Sequence, residues 1–210
     1  MIYNIPSDQP VLVFTSYRTG STALCNQIAN NLNYRNFDET YHPTLFQERR
    51  QEFVEYKKHN SDFVWKLMPD QITSDNHSDI IETWQQCYAF KLTRRDNVAQ
   101  IASWYISHAT DKWHQVDDHL LTSDNVWHEN TETLAGKTVP VDDTLLDYCI
   151  KSILTINQLV DQLPDQSYDQ HLIYEDLSLK DSEYVPRSRP ENYPEIIKRI
   201  HTLVDQYRTQ

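Results

Sequence analysis

From residue 15 to 22 the chain reads Thr-Ser-Tyr-Arg-Thr-Gly-Ser-Thr, a run of hydroxyls with one guanidinium and one glycine. Gly20 is one of only two glycines in 210 residues. It therefore marks a point where the backbone must come close to something or take a positive φ. If a strand delivers this run onto a helix N-terminus, the N–H groups and the macrodipole there favour a phosphate or sulfate. Ser21 and Thr22 would donate hydroxyls to its oxygens, and Arg18 would add a fixed charge with a forked donor set. The plainer alternative is a strand–helix turn with Ser21 as the N-cap. The nucleotide-hydrolysing pattern G-x-x-x-x-G-K-[ST] does not fit, because no Lys adjoins Gly20 and position 15 is Thr. ATP or GTP use is therefore not expected.

The elements around this run follow from periodicity. Val11–Phe14 reads as a buried strand, and 21–32 as a helix with apolar Ala23, Leu24, Ile28 and Leu32, together half of a βαβ unit. An amphipathic helix is expected over 45–58, a strand over 63–68 stopped by Pro69, a helix over 79–86 and a strand over 87–92. Arg94-Arg95-Asp96 then opens a helix to about His108, for which a solvated charged cap is the ordinary reading. Residues 109–140 lack clean periodicity and read as an irregular insertion or lid. A long helix over 142–163, a strand over 170–174, a loop with Pro186 and Pro190 and a helix over 191–207 complete the chain. Strands alternating with helices predict an α/β fold with a central, mainly parallel sheet flanked by helices, as one domain over 1–210. Lys66 ends the second of these strands, where ligands gather in such sheets. It is a candidate for touching a substrate or the anion, a solvent-facing Lys being the plain alternative.

Charge and cysteine use narrow the function classes. Nineteen Lys and Arg stand against 31 Asp and Glu, a formal net charge of −12. That opposes broad binding to nucleic acid or to an anionic membrane. No apolar run reaches the roughly 18 residues of a membrane span, and Val11–Phe14 is too short for a signal-peptide core. A cytoplasmic protein is expected. Cys25, Cys87 and Cys149 are scattered, with no C-x-x-C pair, which fits reduced core thiols. His108, His114, His119 and His128 lie near Asp111, Asp117 and Asp118, but no H-x-x-x-H pair orients them, so no metal is expected. Trp113 and Trp127 would stack on a sugar or anchor the lid, the second being the commoner fate.

The run Ser16–Thr22 resembles the 5′-phosphosulfate loop of sulfotransferases that use 3′-phosphoadenosine 5′-phosphosulfate (PAPS). The resemblance continues in order along the chain. Arg94 to Trp104 resembles the 3′-phosphate motif of that family, with an Arg at a strand end and a Ser eight residues later. Val64–Gln71 and Ile173–Leu177 resemble two stretches of the bacterial branch typified by trehalose sulfotransferase. The resemblance implies a P-loop-like three-layer sulfotransferase domain that moves a sulfuryl group to a hydroxyl of a carbohydrate or small metabolite. It implies that Arg18 serves the bridging oxygen and that Thr19, Gly20, Ser21 and Thr22 hold the 5′-phosphate. Arg95 and Ser103 would hold the 3′-phosphate. The base would follow the first helix, where Glu39 is the candidate and Asp38 and His42 compete; His42 and Lys66 are candidates for contacting the acceptor. The basic Gly-containing loop of many relatives has no counterpart here except Arg187 and Arg189, which read equally well as an exposed linker. Relatives of this branch suggest a homodimer.

Overall fold

The structure is a computed structural model and describes residues 4–42, 47–111, 134–177 and 189–208. The chain comprises two compact units. The first comprises Met1–Arg95 with Ile156–Asp181, the second Asp96–Thr155 with Ser182–Gln210.

The first unit is built on five parallel strands: β1 (Val11–Thr15), β2 (Arg35–Asp38), β3 (Phe63–Leu67), β4 (Tyr88–Thr93) and β5 (Gln170–Ile173). Their order is β2-β3-β1-β4-β5, so β1 is central. Its five residues are all buried, as a parallel strand covered on both faces requires. Helix α1 (Ser21–Leu32) covers one face. Its Leu24, Cys25, Ile28 and Ala29 pack with Val11, Val13, Val64, Phe90 and Leu92. On the other face Leu12, Phe14, Trp65 and Leu67 meet Phe53 of α2 (Gln47–Tyr56) and Ile80 of α3 (His77–Trp84). Ile156 and Val160, from the end of α5 (Asp143–Asp161), join that cluster. The predicted α/β class with its parallel sheet and flanking helices is the fold observed.

Strand β2 is the element that periodicity does not reveal. Its four residues, Arg-Asn-Phe-Asp, carry one apolar side chain, which goes to the core beside Phe53 and Phe63. Tertiary pairing with β3 makes the strand, and it is irregular. Asn36 pairs with Val64 while Asp38 pairs with Trp65, so two steps on β2 face one on β3.

The second unit holds α4 (Asn97–Thr110), most of α5 and α6 (Tyr193–Arg208). Asp96 caps α4 by accepting the Ala99 N–H at 2.9 Å. Ile101, Tyr105, Leu146, Ile150, Ile153, Ile196 and Ile200 are buried. The Tyr105 hydroxyl donates to the Pro140 carbonyl and accepts the Asp142 N–H, and Arg199 pairs with Asp143. Of the expected insertion at 109–140, residues 112–133 lie outside the described residues.

Candidate active site

The loop from β1 to α1 sits at the carboxyl end of the central strand, where open parallel sheets gather ligands. The N-cap of α1 is Gly20, at φ 77°, and no side chain caps the helix. Ser21 is the first helical residue rather than the cap, so the alternative of an ordinary Ser-capped turn does not hold. The first intrahelical bond runs from the Leu24 N–H to the Gly20 carbonyl, 3.1 Å. The preceding N–H groups have no intrahelical acceptor and point toward the loop side, as an anion site requires. Arg18 also adopts the left-handed conformation, φ 57°. A bulky residue held there is strained, and such strain concentrates where a loop must present a fixed shape.

The loop is braced from within. Thr15 Oγ1 and Thr19 Oγ1 share a hydrogen bond of 2.6 Å, and the Leu92 and Ser16 carbonyls lie 3.1 Å from Thr15 Oγ1 and Thr19 Oγ1 respectively; whichever hydroxyl does not donate to the other gives its single proton to its carbonyl. Both threonines are fully buried. The Thr19 side chain is thus committed to the loop's own structure, and only its backbone is left for a ligand. Tyr17 donates its hydroxyl to Asp70, in the 3₁₀ turn Pro69–Gln71 that follows β3.

Beneath the first turn of α1 lies a buried ion cluster. Lys66, 2% exposed, reaches Thr22 Oγ1 at 2.8 Å, Asp38 Oδ1 at 2.8 Å and Glu39 Oε1 at 2.6 Å. It is not the solvent-facing lysine of the plain alternative. Consecutive residues of a regular strand point to opposite faces, so Asp38 and Glu39 could not both reach one ammonium from a straight β2. The bulge and the positive φ of Asp38, 49°, turn them together. Asp38 and Glu39 are 6% and 8% exposed. Burial raises the Glu39 pKa above its ordinary value; Lys66 works against this and the Asp38 charge adds to it. Burial alone would lower the Lys66 pKa, yet Asp38 and Glu39 outweigh it and hold the ammonium above the usual lysine value. Cys25, one turn along α1 from Thr22, is buried close by, and burial with the Asp38 charge pushes its thiol well up.

Gln71 completes the cluster. Its Nε2 donates to Glu39 Oε2 at 3.2 Å, and the residue was not singled out as a site residue from sequence. Its sequence signals are its place just after β3 and Pro69 and its position at the end of Val64–Gln71, one of the stretches that carry the resemblance. His42 lies nearby: its N–H reaches the Glu39 carbonyl at 3.5 Å, and its ring lowers the Glu39 pKa.

The two arginines after β4 play different parts. Arg94 donates Nη1 to the Arg18 carbonyl at 2.9 Å and stacks over the Tyr174 ring at 4.8 Å, so it backs the loop directly. Arg95, with a side chain 60% exposed, pairs with Asp176 at 2.9 Å. Sequence reasoning put the weight on Arg95 and missed the bracing role of Arg94. Ser103 lies on α4 in the second unit, where its carbonyl accepts the Ser107 hydroxyl. Arg189, also in that unit, is exposed and stacks over Tyr193. Arg187 lies outside the described residues, as do His114, His119, His128, Trp113 and Trp127. Among the described residues no helix is long and apolar enough to cross a membrane.

Comparison with known proteins adds little. No protein-family model and no curated protein matches the chain. Among solved structures it is similar to shikimate kinase from Bacteroides thetaiotaomicron, at 12% identity and a TM-score of 0.44, over 94% of this chain and 99% of that one. A likeness of that degree carries no inference about activity.

Proposed function

We propose that this chain is an enzyme, a PAPS-dependent sulfotransferase that transfers a sulfuryl group to a hydroxyl of a carbohydrate or small metabolite. The observation that carries the reading is Lys66, whose ammonium touches the helix-start hydroxyl of Thr22 and the carboxylates of Asp38 and Glu39 at once. An anion cradle, a cation and a buried proton acceptor thereby share one small region, which is what in-line transfer from an anionic donor to a hydroxyl needs.

The donor supplies an activated sulfuryl group, whose bond to the bridging oxygen breaks as a bond to the acceptor oxygen forms. The uncapped start of α1 suits its 5′-phosphate, held by the N–H groups of Gly20, Ser21 and Thr22. Arg18 neutralises the charge that develops on the bridging oxygen. Glu39 takes the acceptor's proton; a carboxyl held above its ordinary pKa is closer to the working pH and so a better base. Lys66 keeps that carboxylate oriented toward the loop. Arg95 would meet the 3′-phosphate after leaving Asp176, a cheap exchange because exposed ion pairs are worth only about 0.2–1 kcal/mol. Three free, buried thiols suit the reducing cytoplasm. A homodimer belongs to the same reading.

Thermal unfolding with 3′-phosphoadenosine 5′-phosphate and with magnesium ATP tests it. The first should stabilise the fold by about 2.7 kcal/mol at 100 times Kd, and the second should not. Sulfate transfer from PAPS to a library of hydroxyl compounds should then reveal the acceptor. Stabilisation by ATP alone would overturn the reading in favour of a nucleotide kinase. Nucleotide binding with no sulfated product would leave a non-catalytic binding module.

A further inference from the structure

We infer that Gln71 is a positioning residue that fixes the carboxylate of Glu39 as the proton acceptor. The inference rests on the proposed transfer reaction and names a residue which that reading does not require.

The amide of Gln71 has no freedom in how it meets Glu39. Its Oε1 accepts the Met68 N–H at 3.2 Å, and a backbone N–H can only donate. The nitrogen must therefore face Glu39 Oε2, so Gln71 is a donor there. Its backbone is anchored as well: the Gln71 carbonyl accepts Asn76 Nδ2 at 2.8 Å, and Asn76 Oδ1 accepts the Thr73 N–H at 2.8 Å. Gln71 is 1% exposed and Asn76 is also buried. Burying two primary amides is costly unless each is satisfied, and closing the turn alone would not need the second end of Gln71.

The same 3₁₀ turn also holds the loop, since the neighbouring Asp70 accepts the Tyr17 hydroxyl. Two adjacent side chains thus tie the anion loop and the carboxylate to one rigid bracket. Glu39 is gripped on both oxygens, by Lys66 at Oε1 and by Gln71 at Oε2. The charged or titratable groups acting on Glu39 are Lys66 on β3, Asp38 on β2, His42 in the following loop and Cys25 on α1. Gln71 adds a neutral donor, which favours the ionised form.

The test is the Glu39 titration, followed by ¹³C NMR of labelled glutamate side chains and assigned with Glu39→Gln. Gln71→Met keeps the side chain's length and removes the donor. It should raise the apparent Glu39 pKa by about one unit and move the acid limb of the transfer rate by the same amount. Because losing the carboxylate's fixed orientation outweighs any gain in its basicity, the turnover number should fall about tenfold, while the Kd of 3′-phosphoadenosine 5′-phosphate stays within twofold. Asn76→Ser, which loosens the anchor without touching Glu39, should shift the titration in the same direction by less, and it serves if Gln71→Met does not fold. An unchanged Glu39 titration in a folded variant overturns the inference. A shifted titration in a protein that transfers no sulfate supports Gln71's hold on Glu39 and sinks the reaction instead.

Discussion

Replacing Lys66 with methionine is the most demanding test of the buried cluster. The side chain is 2% exposed and offsets two carboxylates, so the cluster with all groups ionised carries one ammonium against two negative charges. Lys66→Met leaves both carboxylates buried with no cation, and breaking a buried pair in this way costs about 3–5 kcal/mol. The pH dependence follows from the shifts. Lys66, held above its ordinary value of 10.5, contributes stability that is fully present below that pH and is lost only as pH climbs through the folded value. Glu39, raised above 4.5, makes the native state bind more protons than the unfolded chain, so its contribution declines as pH rises from 4.5 through the folded value. Removing Lys66 takes away the charge that lowers the Glu39 pKa, which raises that pKa further and steepens the decline. The loss should therefore be smaller at acid pH, where Glu39 takes up a proton, and larger toward pH 8. Urea unfolding at four pH values, followed by far-ultraviolet circular dichroism, measures it. The triple variant Lys66→Met, Asp38→Asn, Glu39→Gln removes every charge and should regain most of the loss, because neutral replacement of a whole buried ion group is commonly tolerated. A penalty under about 1 kcal/mol at pH 8, on the scale of an exposed pair, or one that ignores pH, would refute the reasoning.

Two further outcomes follow from the loop. Arg18→Gly removes a side chain from a left-handed backbone position, relieving strain of about 1 kcal/mol; thermal unfolding should show no loss of stability while sulfate transfer disappears. Arg94→Leu removes the bond to the Arg18 carbonyl and the stacking on Tyr174. Donor affinity by calorimetry should drop about tenfold, matching a charged hydrogen bond of about 1.5 kcal/mol.

Sequence alone determined the parts whose cause is local. The apolar run Val11–Phe14, the helical spacing of Ala23, Leu24 and Ile28, and the strand–helix alternation downstream announced the parallel α/β sheet, because backbone geometry imposes those periods on the core face. Scarce glycine marked the loop, since Gly20 alone relieves a left-handed cap at no steric cost. What the tertiary structure decided is where distant charges meet. Strand β2 exists through pairing with β3, and its bulge turns two adjacent carboxylates onto a lysine 27 to 28 positions further along the chain. No local pattern encodes that Lys66 is buried, that Gln71 reaches Glu39, or that Arg94 rather than Arg95 backs the loop. Periodicity reports which face a side chain takes, whereas the partner that makes burying a charge tolerable comes from another segment and exists only once the chain has folded.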